Sequence, residues 1–116
     1  MNESSDDASS ALGIYQQFRG LVASGQLGAG ERLPTVRQSA SDLGVAPGTV
    51  AKAYKMLERD GFVETRVGSG TRVSASAAVL PGAVVEAIRE LVTRGKASSA
   101  SAEDVLTAVR AMWARR

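Results

Sequence analysis

The chain has 116 residues, 44% of them hydrophobic, and a net charge of +2. That length suits one small domain with an appendage. With no cysteine and no histidine, it cannot build a disulfide framework, a Ser–His or Cys–His nucleophile pair, or the usual zinc site.

Nothing else in the chain converges on a catalytic set, and no cofactor or metal is expected. No apolar run reaches the roughly 18 residues of a membrane span, and the acidic, Ser-rich start is not a signal peptide. A cytoplasmic location follows as the expectation. Charge is unevenly spread. Glu3, Asp6 and Asp7 lie in the first ten residues with no base. Residues 11–75 hold eight Lys/Arg against five Asp/Glu, and residues 76–116 hold six against four. An acidic tail therefore precedes a mildly basic body.

Residues 1–9 read as a solvated, disordered acidic tail. From about Ser10 to Ser24, Leu12, Ile14, Tyr15, Phe18, Leu21 and Val22 recur at helical spacing, with Gly25 as the stop. "GQLGAGERLP" reads as a loop, and Pro34 keeps Leu33 extended. In "TVRQSASDLG", Thr35 and Gln38 form a capping pattern, and Gly44 fits a left-handed C-cap after Leu43. Pro47 opens the next helix at its favoured first position, and Gly61 ends it after about Asp60. Two short helices joined at "LGV" are the sequence form of a helix-turn-helix.

At about 100° per residue, Val50, Tyr54 and Leu57 share one face of this helix. Gly48, Lys52, Lys55 and Arg59 fall on the other. One side packs, and the other is basic with a small residue near its start. A DNA-reading helix needs that arrangement, although a solvated charged face would share the pattern.

"FVETRVGSGTRVSA" poses a choice between a phosphate loop and a turn. A phosphate-binding loop needs a Gly-Lys-Ser/Thr end and a helix after it. Here no lysine follows the second glycine, and strand character resumes at "TRV". Gly68 and Gly70 therefore turn a β-hairpin, with Arg66 and Arg72 on its arms. Helix, helix-turn-helix and hairpin together make a winged helix. The expected fold is mainly α with a small β wing, spanning residues 10–75.

The order "LPTVR", "LGV", "TVAKAY", "LERDGFV" and "GSGT", within Ser24 to Val73, resembles that of GntR-type winged helix-turn-helix regulators. The short remainder is similar to the YtrA-like branch, whose C-terminal helices dimerise. The resemblance implies a DNA-binding transcriptional regulator, a dimeric repressor on a palindromic operator. It implies DNA contact by Arg37, by Pro47, Gly48, Thr49 and Lys52 at the recognition helix, and by Ser69, Gly70 and Thr71 at the wing. Each has a plainer reading. Arg37 could pair with Asp42, Thr49 could bond locally, and Ser69 and Thr71 could serve the turn alone. Three positions depart from the family pattern. Ser39 stands where leucine is usual, which implies looser packing. Ala46 replaces a capping residue, at a cost of about 1 kcal/mol. Gly48 offers no side chain to a base.

Residues 76–116 carry two amphipathic segments. Leu80, Val84, Ala87, Ile88 and Leu91 form one stripe, and "KASSAS" reads as a loop. Ser101 and Asp104 cap a last helix with Val105, Leu106, Val109, Met112 and Trp113. Two such helices cannot form a core alone. They are expected to make a homodimer through Leu91, Val105, Val109, Met112 and Trp113. Trp113 is either an interface anchor or a lid on the intrachain core, and the first is favoured. The competing functions are a winged helix for protein–protein contact and a small enzyme or nucleotide-binding protein. A small-molecule effector between the C-terminal helices is compatible with the sequence, which does not identify one.

Overall fold

A computed structural model describes residues 10–115. The acidic tail read at residues 1–9 lies outside the described residues. The order is α1 (Ala11–Ala23), α2 (Val36–Leu43), α3 (Pro47–Arg59), β1 (Val63–Arg66), β2 (Gly70–Val73), α4 (Gly82–Ala97) and α5 (Ala102–Ala114). The chain divides into two compact units after Leu80.

In the first unit, α3 is the central element. Its buried face is Val50, Ala53, Tyr54 and Leu57, one stripe at helical spacing. It packs on α1 and α2. Ile14, Tyr15 and Val22 of α1, Ala40 of α2, Leu33, and Val63 and Val73 of the hairpin complete the core. Phe18 meets Tyr54 edge-on at 5.5 Å between ring centroids. Leu12, read on the apolar stripe of α1, is instead 40% exposed.

Helix ends follow the local chemistry. Ser10 caps α1 through Gly13 N–H, and Thr35 caps α2 through Gln38 N–H. Gly44 closes α2 at φ +68°, in the left-handed region where a Cβ is penalised. Ala46 provides no side-chain cap for α3, and Pro47 opens that helix.

Ser39 is buried, and its hydroxyl lies 2.8 Å from Tyr54 Oη. The tyrosine donates its proton to Pro34 O at 2.7 Å, so the serine is the donor in their shared bond. Burial raises the Tyr54 pKa, and the serine bond opposes that shift. A buried polar chain occupies the place of an apolar contact.

At the far end of α3, Asp60 accepts from Arg59 Nε at 3.0 Å and from Tyr15 Oη at 2.6 Å. These bonds, Arg59's first, hold the Asp60 carboxyl below the usual carboxylate range. Tyr15 also meets Phe62 edge-on, and Arg19 lies over the Phe62 ring at 5.3 Å. The end of α3 is thus tied to α1 and to the start of the hairpin.

β1 and β2 pair antiparallel, with Val63 opposite Val73 and Arg66 opposite Gly70. A third segment joins β2. Leu33 N–H bonds Thr71 O at 2.8 Å, Val73 N–H bonds Glu31 O at 2.8 Å, and Gly30 N–H bonds Val73 O at 2.9 Å. The stretch read as a loop before Pro34 is therefore partly a sheet edge.

In the second unit, neither α4 nor α5 buries a side chain. Ser101 caps α5 through Asp104 N–H. Helix α4 continues through Lys96 and Ala97, so the loop is shorter than "KASSAS" implied. Leu80 precedes α4 rather than belonging to its stripe, and its N–H bonds Ala23 O at 2.8 Å.

Tyr54→Phe should lower stability by about 1–3 kcal/mol, because Ser39 and Pro34 O lose their buried partner; a shift of the urea midpoint measures it. The Asp60 bonds add a pH dependence. A carboxylate with a lowered folded pKa contributes its stability above about pH 4, the unfolded value, and loses it as pH falls through the folded value. Thermal midpoints at pH 3 and pH 7 should therefore differ less in Asp60→Asn than in the parent.

Candidate nucleic-acid interface

Burial of Val50, Ala53, Tyr54 and Leu57 turns the opposite face of α3 outward. Gly48, Lys52 and Lys55 are exposed, and Thr49 is half-buried. There is no side-chain cap, Pro47 has no N–H, and Thr49 N–H bonds Ala46 O at 3.0 Å, so in the first turn only Gly48 N–H is left for an external acceptor such as a phosphate oxygen. Lys52 and Lys55 form no ion pair with any described residue. Arg59, grouped with them by periodicity, is held by Asp60 instead.

Arg37, the second residue of α2, is exposed. Its suggested pairing with Asp42 is not formed. Its charge is therefore not neutralised within the described residues. The Tyr54–Ser39–Pro34 chain joins α3, α2 and the segment before α2, so the element carrying Arg37 and the element carrying Lys52 are held together.

At the wing, Gly68 has φ +83° and Gly70 has φ +76°. Both glycines meet the backbone demand of the turn, as the hairpin reading required. Ser69 N–H bonds Arg66 O at 3.0 Å, and Ser69 is only half-exposed. Thr71 Oγ1 lies 3.2 Å from Thr65 Oγ1 across the hairpin. The arginines on the arms are already engaged. Arg66 pairs with Glu64 at 3.3 Å, and Arg72 Nη1 donates to Gly30 O at 3.1 Å.

Two wing features were not read from the sequence. Val67, fully exposed at 105%, is the apolar tip of the turn; its place beside Gly68 was a usable signal. Arg32, paired with Arg72 on the added sheet edge, was hidden. Its neighbours Gly30 and Pro34 break any strand pattern.

The dimer candidates lie in the second unit. Leu91 is 39%, Val109 38%, Met112 74% and Trp113 85% exposed, and Val105 is half-buried. Among the described residues no cluster of His, Cys, Asp and Glu could hold a metal ion, and no helix is long and apolar enough to cross a membrane.

Residues 10–73 match the model of the family described as bacterial regulatory proteins, gntR family. The HTH-type transcriptional repressor YtrA of Bacillus subtilis is 45% identical over 64 residues, covering 55% of this chain and 49% of that protein. The HTH-type transcriptional regulator Rv1152 of Mycobacterium tuberculosis is 55% identical over 53 residues, covering 46% and 44%. The chain thus spans at most about half the length of these curated relatives. The structure of YtrA from Sulfolobus acidocaldarius, a GntR-family transcription factor, superposes with a TM-score of 0.55 at 31% identity, covering 75% of this chain and 85% of that one. A winged helix with an open, basic recognition helix, matched to the family over more than half of its length, places this chain in the gntR family of bacterial regulatory proteins.

Proposed function

We propose that this chain is a sequence-specific, cytoplasmic DNA-binding transcriptional regulator, acting as a dimeric repressor on a palindromic operator. The observation that carries it is the state of the cations. Arg37 and Lys52 lack an acid partner among the described residues and lie on the two helices of the helix-turn-helix, whereas Arg59 and Arg66 are neutralised. Unpaired surface cations on adjoining helices are what a phosphate backbone neutralises. The names of the relatives, a transcriptional repressor and a transcription factor, agree with this reading.

Arg37, Lys52 and the first turn of α3 (Pro47, Gly48 and Thr49) are assigned to the major groove and its phosphates. Ser69, Gly70 and Thr71 are assigned to the wing contact, with the Thr71 hydroxyl secondary because Thr65 already engages it. Direct base readout is thin, because Gly48 has no side chain. Sequence-dependent DNA shape then supplies part of the specificity.

The exposed apolar residues of α4 and α5 are assigned to the homodimer, in which two-fold symmetry sets two recognition helices about one helical turn apart. A small-molecule effector would act on this second unit.

Binding of the full chain to duplex DNA across a salt series tests the reading directly. The affinity of the parent should fall steeply with salt. Lys52→Ala should lower the log–log slope by about one, with the melting temperature nearly unchanged. An unchanged slope and affinity would remove Lys52 from the interface. Trp113→Ala should weaken the dimer by about 2 kcal/mol or more, as truncation of an aromatic anchor does. Light scattering from low to high micromolar concentration would show that shift, and a parent that is monomeric throughout would overturn the dimer.

A further inference from the structure

We propose that Arg32 is a further phosphate-binding residue, seated on Gly70 at the seam between the wing and α2. The inference rests on the DNA-binding reading above and adds a residue to it.

Gly70 has φ +76°, which alone favours glycine. A second constraint acts at the same place. A Cβ built on Gly70 would lie 2.9 Å from Arg32 Nε and 3.0 Å from Arg32 Nη2. The arginine side chain therefore lies across the wing glycine, in space that any other residue would fill. Arg32 is the direct sheet partner of Arg72, and Arg72 is opposite Glu64. Directly opposed residues share a sheet face, so Arg32, Arg72 and Glu64 lie on one face of the wing.

The three cations of the wing differ in their partners. Arg66 has Glu64, and Arg72 has Gly30 O. Arg32's guanidinium forms no ion pair and no hydrogen bond among the described residues. The neighbouring Glu31 is turned to Gly28 N–H at 2.8 Å. Asp42 borders the same open cleft, together with Thr35 and Gln38 of the α2 start, without pairing with Arg32. A guanidinium held flat by its seat keeps its N–H edge for an outside acceptor, and its planar fork suits a phosphodiester.

The location suits that role. Leu33 N–H joins this strand to Thr71 O of the wing, and two residues later Thr35 caps α2. Arg32 thus sits on the covalent and hydrogen-bonded joint between the two DNA-facing parts. A phosphate backbone contacting both the start of α2 and the wing would meet it. The seat also gives Gly70 a second role, since it positions the arginine as well as turning the chain.

The test uses the full chain and two duplexes of equal length: one selected from a random pool by the chain itself, and one of random sequence. Arg32→Ala and Arg32→Gln should each weaken binding to both duplexes about three- to tenfold and lower the salt slope by about one, as loss of one phosphate contact does. Arg32→Lys should keep the slope. The glutamine variant retains the stem, so a packing loss in the alanine variant cannot pass for a charge effect. A double-mutant cycle addresses the seat: Gly70→Ala should cost less affinity in the Arg32→Ala background than in the parent. Should both neutral variants keep the parent's slope while Lys52→Ala lowers it, Arg32 is not a phosphate contact and the DNA-binding reading survives. A parent that binds neither duplex with a salt-dependent affinity would overturn both. Equal costs of Gly70→Ala in the two backgrounds would remove the seat.

Discussion

The hydroxyl of Tyr54 is the constraint on which the geometry of the proposed DNA-facing elements depends. It lies on the buried face of α3, bonded to Ser39 of α2 and to the carbonyl of Pro34. Through those two bonds the recognition helix, the first helix of the helix-turn-helix and the segment entering it share one polar joint. Apolar packing is tolerant of small slides. A short hydrogen-bonded chain in a buried place is not, because each broken bond leaves a desolvated polar group. The relation between Arg37 and Lys52 is therefore set by a point remote from either.

The same joint connects to the wing. Pro34 follows Leu33, whose N–H is bonded to β2. The wing is a two-stranded hairpin with a third strand's worth of support along Gly30 to Leu33. A lone hairpin is marginal in water, and this added edge, with Val63 and Val73 in the core, steadies it. Steadiness matters because a contact made by a floppy tip would lose ordering entropy on binding. For the proposed wing contact, the paired arms, the turn glycines and the arginine across Gly70 would reduce that loss.

The second unit follows a different logic. Ser101 caps α5, whereas α4 has no side-chain cap, and surface ion pairs such as Arg94 with Glu90 at 2.7 Å contribute little. What the helices lack is anything buried. The exposed apolar residues along the two helices are the surface proposed for the homodimer. Dimerisation would cover that surface and would double the DNA contact of a small module.

Much of the fold was legible because its signals are local. Thr35, Gly44, Pro47 and Gly61 punctuate the helices through backbone angles and capping bonds that need no distant partner. The apolar stripe of α3 and the two turn glycines of the wing are equally local, and so is the absence of a cap at Ala46. The resemblance carried the assignment of Arg37, Lys52 and the wing tip. Other outcomes depended on residues far apart in the chain. Ser39 reads as a weak core position until Tyr54 reaches it from fifteen residues away. Arg59 reads as part of a basic face until Asp60, itself tied to Tyr15, engages it. Leu12 fits the stripe of α1, but the core does not extend to it. Arg32 looks like a loop arginine until β2 pairs with its backbone and Gly70 leaves room for its side chain. Capping, turning and periodicity are properties of a few consecutive residues, so the sequence determined them by itself. Whether a charge is neutralised, a polar group satisfied or a side chain given a seat depends on which distant atoms arrive beside it, and only the tertiary structure decided that.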